Sequence, residues 1–173
     1  MVGARARAAG RQQDHSAVRR VRRPAPARVP GPRARLSLRL FLIRHADAEA
    51  GDPDELRRLS PAGREQARAL GEQLAADGVR ADAVLTSPLL RARETGEALA
   101  DALDCTSEPS DALAPGATAA AVRSAVEGRG ETVVVVGHQP DCGQIAAELG
   151  DGTEPRFPPA GMLELHLPGA STS

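Results

Sequence analysis

Four residues with the chemistry to hold and transfer a phosphoryl group lie far apart in the chain: Arg44, His45, Arg91 and His138. Two guanidinium groups can bind phosphoryl oxygens in fork geometry and offset their negative charge during transfer. A neutral imidazole can attack phosphorus and form a phosphohistidine, which divides the transfer into two steps. A second imidazole adds a donor to the same oxygens. If the fold brings the four together, they predict phosphoryl transfer with a histidine nucleophile.

Each of the four residues follows a segment that is predicted to be a strand. These strands span residues 38–43, 83–86 and 131–136. The third contains four consecutive Val residues, and a run that is apolar on both faces is typical of a strand in the middle of a covered sheet. Ligands of open α/β sheets lie beyond the carboxyl ends of the strands. We therefore expect the four side chains to meet at one edge of the sheet.

Predicted helices separate these strands and are followed by a last strand over residues 161–167. The helices are expected over residues 60–78, 87–103, 118–127 and 141–149. Ser60-Pro61 and Ser87-Pro88 are typical of helix starts, with Ser as the N-cap and Pro at the first helical position. Alternating strands and helices indicate an α/β fold. We predict three layers, with a mainly parallel sheet and helices on both faces.

Two further residues lie next to the predicted site. Ser87 could offer its hydroxyl to the phosphate, but capping of the following helix explains this residue equally well. Gln139 could present its backbone N–H to the phosphate from the loop that leads into a helix. No acidic cluster has metal-ligand spacing, so neither a metal nor another cofactor is expected. Cys105 and Cys142 suggest neither a disulfide framework nor a zinc site.

The charge of the chain divides it into a basic tail and an acidic body. Residues 1–39 contain eleven Arg and one acidic residue, whereas the remainder contains eleven Arg and twenty-two acidic residues. We predict that residues 1–37 are disordered, that residues 38–168 form one domain and that residues 169–173 are disordered. Four interpretations of the tail stay open: a misassigned translation start, a solvated extension without function, an arm that binds nucleic acid or acidic surfaces, and a transit peptide. A cytoplasmic monomer without membrane or specific nucleic-acid contacts is expected.

Three motifs of the body resemble those of the histidine phosphatase superfamily, which also includes the cofactor-dependent phosphoglycerate mutases. Residues 40–46 resemble the opening Arg-His-Gly motif, with Ala46 at the position where the family usually has Gly. Residues 85–95 resemble the second motif, which is centred on an Arg, and residues 135–138 resemble the third. The resemblance covers nearly all of residues 38–167. It implies a phosphoglycerate mutase-like fold, with His45 as nucleophile and the other three residues as the phosphate pocket.

Within that superfamily, the chain resembles the small SixA-type branch of phosphohistidine phosphatases. Asp47 follows the first motif directly, and residues 58–63 resemble the segment that precedes the first helix in that branch. Members that cleave phosphate esters usually carry a Glu as general acid, in a Leu-x-Glu context. The comparable stretch here is Leu113-Ala114-Pro115, which lacks a carboxylate. Asp47 and Glu49 are candidate substitute acids, as are Asp52 and Asp54, and for each the alternative is a solvated loop charge.

The missing acid favours phosphohistidine in proteins as the substrate. An alkoxide is a poor leaving group that needs a proton, whereas an imidazole leaves easily because its nitrogen pKa is near neutral. Two alternatives stay open at this stage. One is a phosphomonoesterase of the same superfamily that acts on small molecules. The other belongs to a different class, a module that binds phosphorylated partners without turnover.

Overall fold

A single five-stranded sheet forms the centre of the computed structural model, which describes residues 37–169. The strands are β1 (Ser37–Arg44), β2 (Ala83–Thr86), β3 (Ser107–Pro109), β4 (Thr132–Gly137) and β5 (Met162–Pro168). Their order in the sheet is β3-β2-β4-β1-β5. Only β5 pairs in the antiparallel direction, with β1. The prediction of a mainly parallel sheet is therefore confirmed.

Helices cover both faces of this sheet, as predicted. They are α1 (Pro61–Ala76), α2 (Leu90–Leu103), α3 (Ala119–Val126) and α4 (Asp141–Leu149). Helices α1 and α2 pack against one face, and α3 and α4 pack against the other. None of the helices within residues 37–169 is long and apolar enough to span a membrane.

The valine run of β4 explains how one strand contributes to both halves of the core. Successive side chains of a strand point to opposite faces. Val134 and Val136 accordingly pack with α1 and α2, whereas Val133 and Val135 pack with α3 and α4. All four are buried. The chain has two Phe and neither Trp nor Tyr, so its core consists mainly of Ala, Val and Leu.

Several element boundaries differ from the predictions. Helix α2 begins at Leu90 rather than directly after Ser87, and its N-cap residue, Leu89, makes no side-chain capping bond. Asp141 is the first residue of α4 rather than its cap, and its carboxylate accepts a hydrogen bond from the Gly116 N–H at 2.7 Å. Strand β3 lies between the second and third predicted helices, where the sequence predicts no strand.

The two chain ends that are predicted to be disordered lie almost entirely outside the part of the chain that the structure describes. Residues 1–36 and 170–173 are not among the described residues. Strand β1 begins at Ser37, one residue before the predicted limit of the domain, because Ser37 pairs with Pro168 of β5. The prediction of disorder for the tail stays a prediction.

The start of α1 is packed directly against the loop that follows His45. Ser60 caps the helix, since its Oγ accepts a hydrogen bond from the Gly63 N–H at 3.0 Å. A Cβ at Gly63 would lie 1.8 Å from the carbonyl oxygen of Asp47. Because this neighbour is backbone, the clash can be relieved only if the loop or the helix moves. Glycine is therefore required here for close approach.

We expect Gly63→Ala to lower the free energy of unfolding by about 2 kcal/mol or more, in the range of overpacking changes. It should also displace the loop after His45 and reduce catalytic turnover. Urea unfolding measures the first effect. Gly51→Ala is the matched control, because a Cβ there meets only the flexible Arg57 side chain at 3.4 Å. Equal stability of the two variants would contradict the packing described here.

Candidate active site

The carboxyl ends of three parallel strands bring both histidines and both arginines to one edge of the sheet. Arg44, at the end of β1, lies opposite Gly137 of β4, which immediately precedes His138. The ring centroids of His45 and His138 are 5.2 Å apart. Burial lowers the pKa of both imidazoles, and the positive charges of Arg91 and Arg44 act in the same direction. The structure thus brings together the four residues singled out from the sequence.

His45 is held so that one particular ring nitrogen is free. Its backbone N–H donates to the Gly137 carbonyl at 2.9 Å. Its Nδ1 lies 2.7 Å from the Ala46 carbonyl oxygen. Because a carbonyl only accepts, Nδ1 carries the proton and Nε2 carries the lone pair. Burial lowers the pKa of His45, with the charges of Arg91, Arg44 and Arg57 acting in the same direction, so the ring is neutral at pH 7.

His138 is buried and is fixed by Ser87. The Ser87 Oγ accepts the Leu89 N–H at 3.3 Å and lies 2.6 Å from Nε2 of His138. Burial, together with the proximity of His45 and Arg91, lowers the pKa of His138 to about 4, so this ring is also neutral at pH 7. Its buried Nδ1 has no hydrogen-bond partner among the described residues. The Ser87 hydroxyl can donate to Nε2, and in that tautomer Nδ1 carries a proton that it can donate to a ligand.

The guanidinium groups of Arg44 and Arg91 are each held by a backbone carbonyl oxygen that accepts from Nη1. Nη1 of Arg44 donates to the Phe157 carbonyl oxygen at 2.8 Å, and Nη1 of Arg91 donates to the Asp54 carbonyl oxygen at 2.8 Å. The Nε atom of each is buried and has no partner within residues 37–169. Buried donors are normally paired, so unpaired ones require an explanation. An anion bound between the two side chains would accept these hydrogen bonds.

Thr95 connects the loop after His45 to Arg91. Sequence reasoning did not identify this residue. Its hydroxyl accepts the Ala46 N–H at 3.1 Å and donates to the Arg91 carbonyl at 2.7 Å. It lies one helical turn after Arg91, and this spacing on one helix face is the signal that could have identified it.

Ala46, at the position where the family usually has Gly, does not require a left-handed backbone. The positive-φ residues other than glycine in the described chain are Asp104 and Ala160. Ala46 therefore adopts a backbone conformation that tolerates its Cβ.

Of the four candidate acids, Asp47, Glu49 and the exposed Asp52 make no hydrogen bond to either imidazole within the described residues. Oδ2 of Asp47 accepts a hydrogen bond from the Ser60 hydroxyl at 2.5 Å. Glu49 is exposed, and only its backbone makes hydrogen bonds within the described residues. Asp54 does reach the site, since its Oδ2 lies 3.0 Å from Nη2 of Arg91. Arg57 and Arg91 lower the pKa of Asp54, which is therefore ionised at neutral pH.

A cleft of about 500 Å³ lies beside the phosphate-binding candidates. It is lined by Arg44, Gln139, Arg156 and Phe157 among others. The side-chain oxygen of Gln139 is buried without a partner in the described part of the chain. The predicted contact of its backbone N–H with phosphate stays a prediction, as does a direct contact from Ser87. Within residues 37–169, no three His, Cys, Asp or Glu side chains are grouped closely enough to hold a metal ion.

Comparison with known proteins gives the family. Residues 40–115 match the model of the histidine phosphatase superfamily (branch 1). The phosphohistidine phosphatase SixA of Escherichia coli (strain K12) is 30% identical over 138 residues, which cover 75% of this chain and 86% of SixA. The chain belongs to the histidine phosphatase superfamily. This membership confirms the family predicted from the three motifs and, at that level, the prediction of a phosphatase.

Other members of the superfamily match over different lengths. A structure of the protein histidine phosphatase SixA complexed with tungstate superimposes with a TM-score of 0.68 at 30% identity, covering 73% of this chain and 86% of that one. The mitochondrial serine/threonine-protein phosphatase Pgam5 of Drosophila persimilis is 38% identical over 66 residues. That match covers 38% of this chain but only 23% of Pgam5. The α/β fold of the superfamily is thereby confirmed.

Proposed function

We propose that this protein is a metal-independent phosphatase in which Nε2 of His45 accepts the phosphoryl group. In the first step the Nε2–P bond forms while the bond from phosphorus to the leaving group breaks. In the second step a water oxygen bonds to phosphorus, the Nε2–P bond breaks with its electron pair returning to Nε2, and the water proton passes to solvent, so that inorganic phosphate and neutral His45 are formed. The observation that carries this proposal is a partly buried His45 imidazole whose Nδ1, not Nε2, contacts the Ala46 carbonyl, beside two guanidiniums whose Nε–H groups are buried and unpaired within residues 37–169.

Three neighbouring side chains hold the phosphoryl group in this proposal. Arg44 and Arg91 present their Nε–H edges to its oxygens and offset the charge of the transition state. His138 donates from Nδ1, and Ser87 acts through His138 by fixing Nε2 of that ring. Each contact is available before substrate binds, so little reorganisation is needed when charge develops on the oxygens.

The substrate class that we propose is phosphohistidine in proteins. Asp54 is the carboxylate that reaches the site, and as an ionised group it is a poor proton donor. A leaving alkoxide would need a proton, whereas the imidazole of phosphohistidine has a nitrogen pKa near neutral and leaves more readily. The similarity to SixA, named as a phosphohistidine phosphatase, supports the same class. The cytoplasmic location and monomeric state stay predictions from the sequence.

A substrate panel tests this proposal. The purified protein is assayed on a phosphohistidine peptide and on sugar and nucleotide monophosphates at pH 7, with phosphate release as the readout. We expect kcat/KM for the peptide to exceed that for the esters by about 100-fold or more, since a general acid typically contributes 10² to 10⁴. Faster turnover of esters would instead identify a small-molecule phosphomonoesterase. Phosphate binding without turnover would indicate a binding module.

A further inference from the structure

Asp54 contacts the outer end of the Arg91 guanidinium through two different atoms. Its backbone carbonyl oxygen accepts from Nη1 at 2.8 Å, and its carboxylate Oδ2 accepts from Nη2 at 3.0 Å. One residue therefore occupies the end of the fork that both Nη atoms form. The remaining donors of Arg91 are on its side edge, where Nε is buried and unpaired within the described residues.

The same carboxylate also holds a third arginine. Oδ1 of Asp54 accepts from Nη1 of Arg57 at 3.0 Å, and Nε of Arg57 donates to the Glu49 carbonyl at 2.7 Å. Arg57 is thereby bonded both to Asp54 and to the backbone of the loop that follows His45. Asp54 thus connects the loop after His45 to the phosphate-binding candidate on α2.

We propose that Asp54 is a positioning residue, which clamps Arg91 so that its Nε–H edge faces the phosphoryl group. This inference rests on the proposed function, because it assigns a role within the same site. The clamp is needed because a guanidinium on a long side chain has several rotamers, and only one presents a given edge to a ligand. Asp54 is the first residue of a short 3-10 helix (Asp54–Leu56), and its side chain is 60% exposed, whereas the Arg91 side chain is 8% exposed.

The alternative role for the Asp54 carboxylate is competition with the phosphoryl group. The direction in which its removal changes the affinity for anions distinguishes competition from positioning. A negative charge close to Arg91 competes with a bound phosphoryl group, so its removal would tighten anion binding if competition dominated. If positioning dominates, removal weakens binding even though the site becomes more positive. The two contacts on the Nη atoms leave the Nε edge open, and this arrangement favours positioning.

The experiment compares Asp54→Asn and Asp54→Ala with Glu55→Gln and Glu55→Ala in the full-length protein. Glu55 is the adjacent exposed acid, and its side chain makes no hydrogen bond to the rest of residues 37–169. Isothermal titration calorimetry measures the affinity for tungstate and for inorganic phosphate, and steady-state kinetics separates KM from kcat. Circular dichroism checks that each variant is folded.

We expect Asp54→Ala to weaken binding of both anions about tenfold and to raise KM more than it lowers kcat. Asp54→Asn should be intermediate, since its amide oxygen can still accept from Nη2 of Arg91. Both Glu55 variants should match the wild type. Tighter binding or unchanged binding in Asp54→Ala would overturn the inference alone. A wild-type protein that binds neither anion would overturn the proposed function, and this inference with it.

Discussion

Replacement of His45 with alanine is expected to lower kcat for phosphohistidine hydrolysis by about 10⁴-fold or more, because it removes the atom that bonds to phosphorus. The phosphate contacts proposed for Arg44, Arg91 and His138 are kept in this variant. The affinity for inorganic phosphate should therefore change much less than kcat. Quenched-flow assays of phosphate release at saturating peptide give kcat, and calorimetry gives the affinity.

The control for this change is His166→Ala. His166 lies on β5 with 66% of its side chain exposed, and its partner is the nearby Glu164. We expect kcat of this variant to equal that of the wild type. If His45→Ala retained more than about a tenth of wild-type kcat, His45 could not be the nucleophile.

Replacement of Arg91 with lysine should lower kcat/KM about 100-fold, and replacement with alanine about 1,000-fold. Lysine keeps the positive charge but loses the planar fork, so it cannot donate from an Nε edge while Asp54 holds its other end. Loss of one preorganised donor to a developing oxyanion typically costs 10² to 10³ in rate. Initial rates on the phosphohistidine peptide measure both variants.

Arg93→Lys and Arg93→Ala are the matched controls for these variants. Arg93 lies on the same helix but is exposed, and its side chain makes no hydrogen bond with other described residues. Near wild-type kcat/KM is expected for both. If Arg91→Lys behaved like Arg93→Lys, charge alone would be sufficient at this position, and the fork geometry would have no role.

The sheet and its layers could be predicted because the apolar runs of this chain are short and regularly interrupted. Residues 38–43 and 131–136 are too apolar for a half-exposed strand, so the centre of the sheet followed from them. Strand β3 could not be predicted, because its residues, Ser107, Glu108 and Pro109, have low strand propensity. Its backbone pairing with β2 stabilises the strand instead. The helix start after Ser87 was misplaced, because the Ser87 hydroxyl contacts His138 instead of capping a helix.

The residues of the site that carry the chemistry could be predicted from their side-chain types and their positions after strands. The contacts that orient these side chains could not be predicted, because backbone atoms of distant residues make them. His45 and His138 follow strands that end at the same edge, so their meeting could be anticipated. The orientation of Arg44 depends on a carbonyl oxygen of Phe157, more than a hundred residues away, and every residue has such an oxygen. The contact between Asp54 and Arg91 also depends on how an exposed loop folds back, which no periodicity reveals.

Trapping the phosphorylated enzyme tests the proposed chemistry most directly. Protein mixed with a ³²P-labelled phosphohistidine peptide is quenched in base within milliseconds, digested and mapped by mass spectrometry. We predict a label that is stable in base and labile in acid on the peptide that contains His45, and no label in His45→Ala. Efficient phosphate release with no label at any time point, or with the label on a different residue, would contradict a phosphoryl transfer through His45.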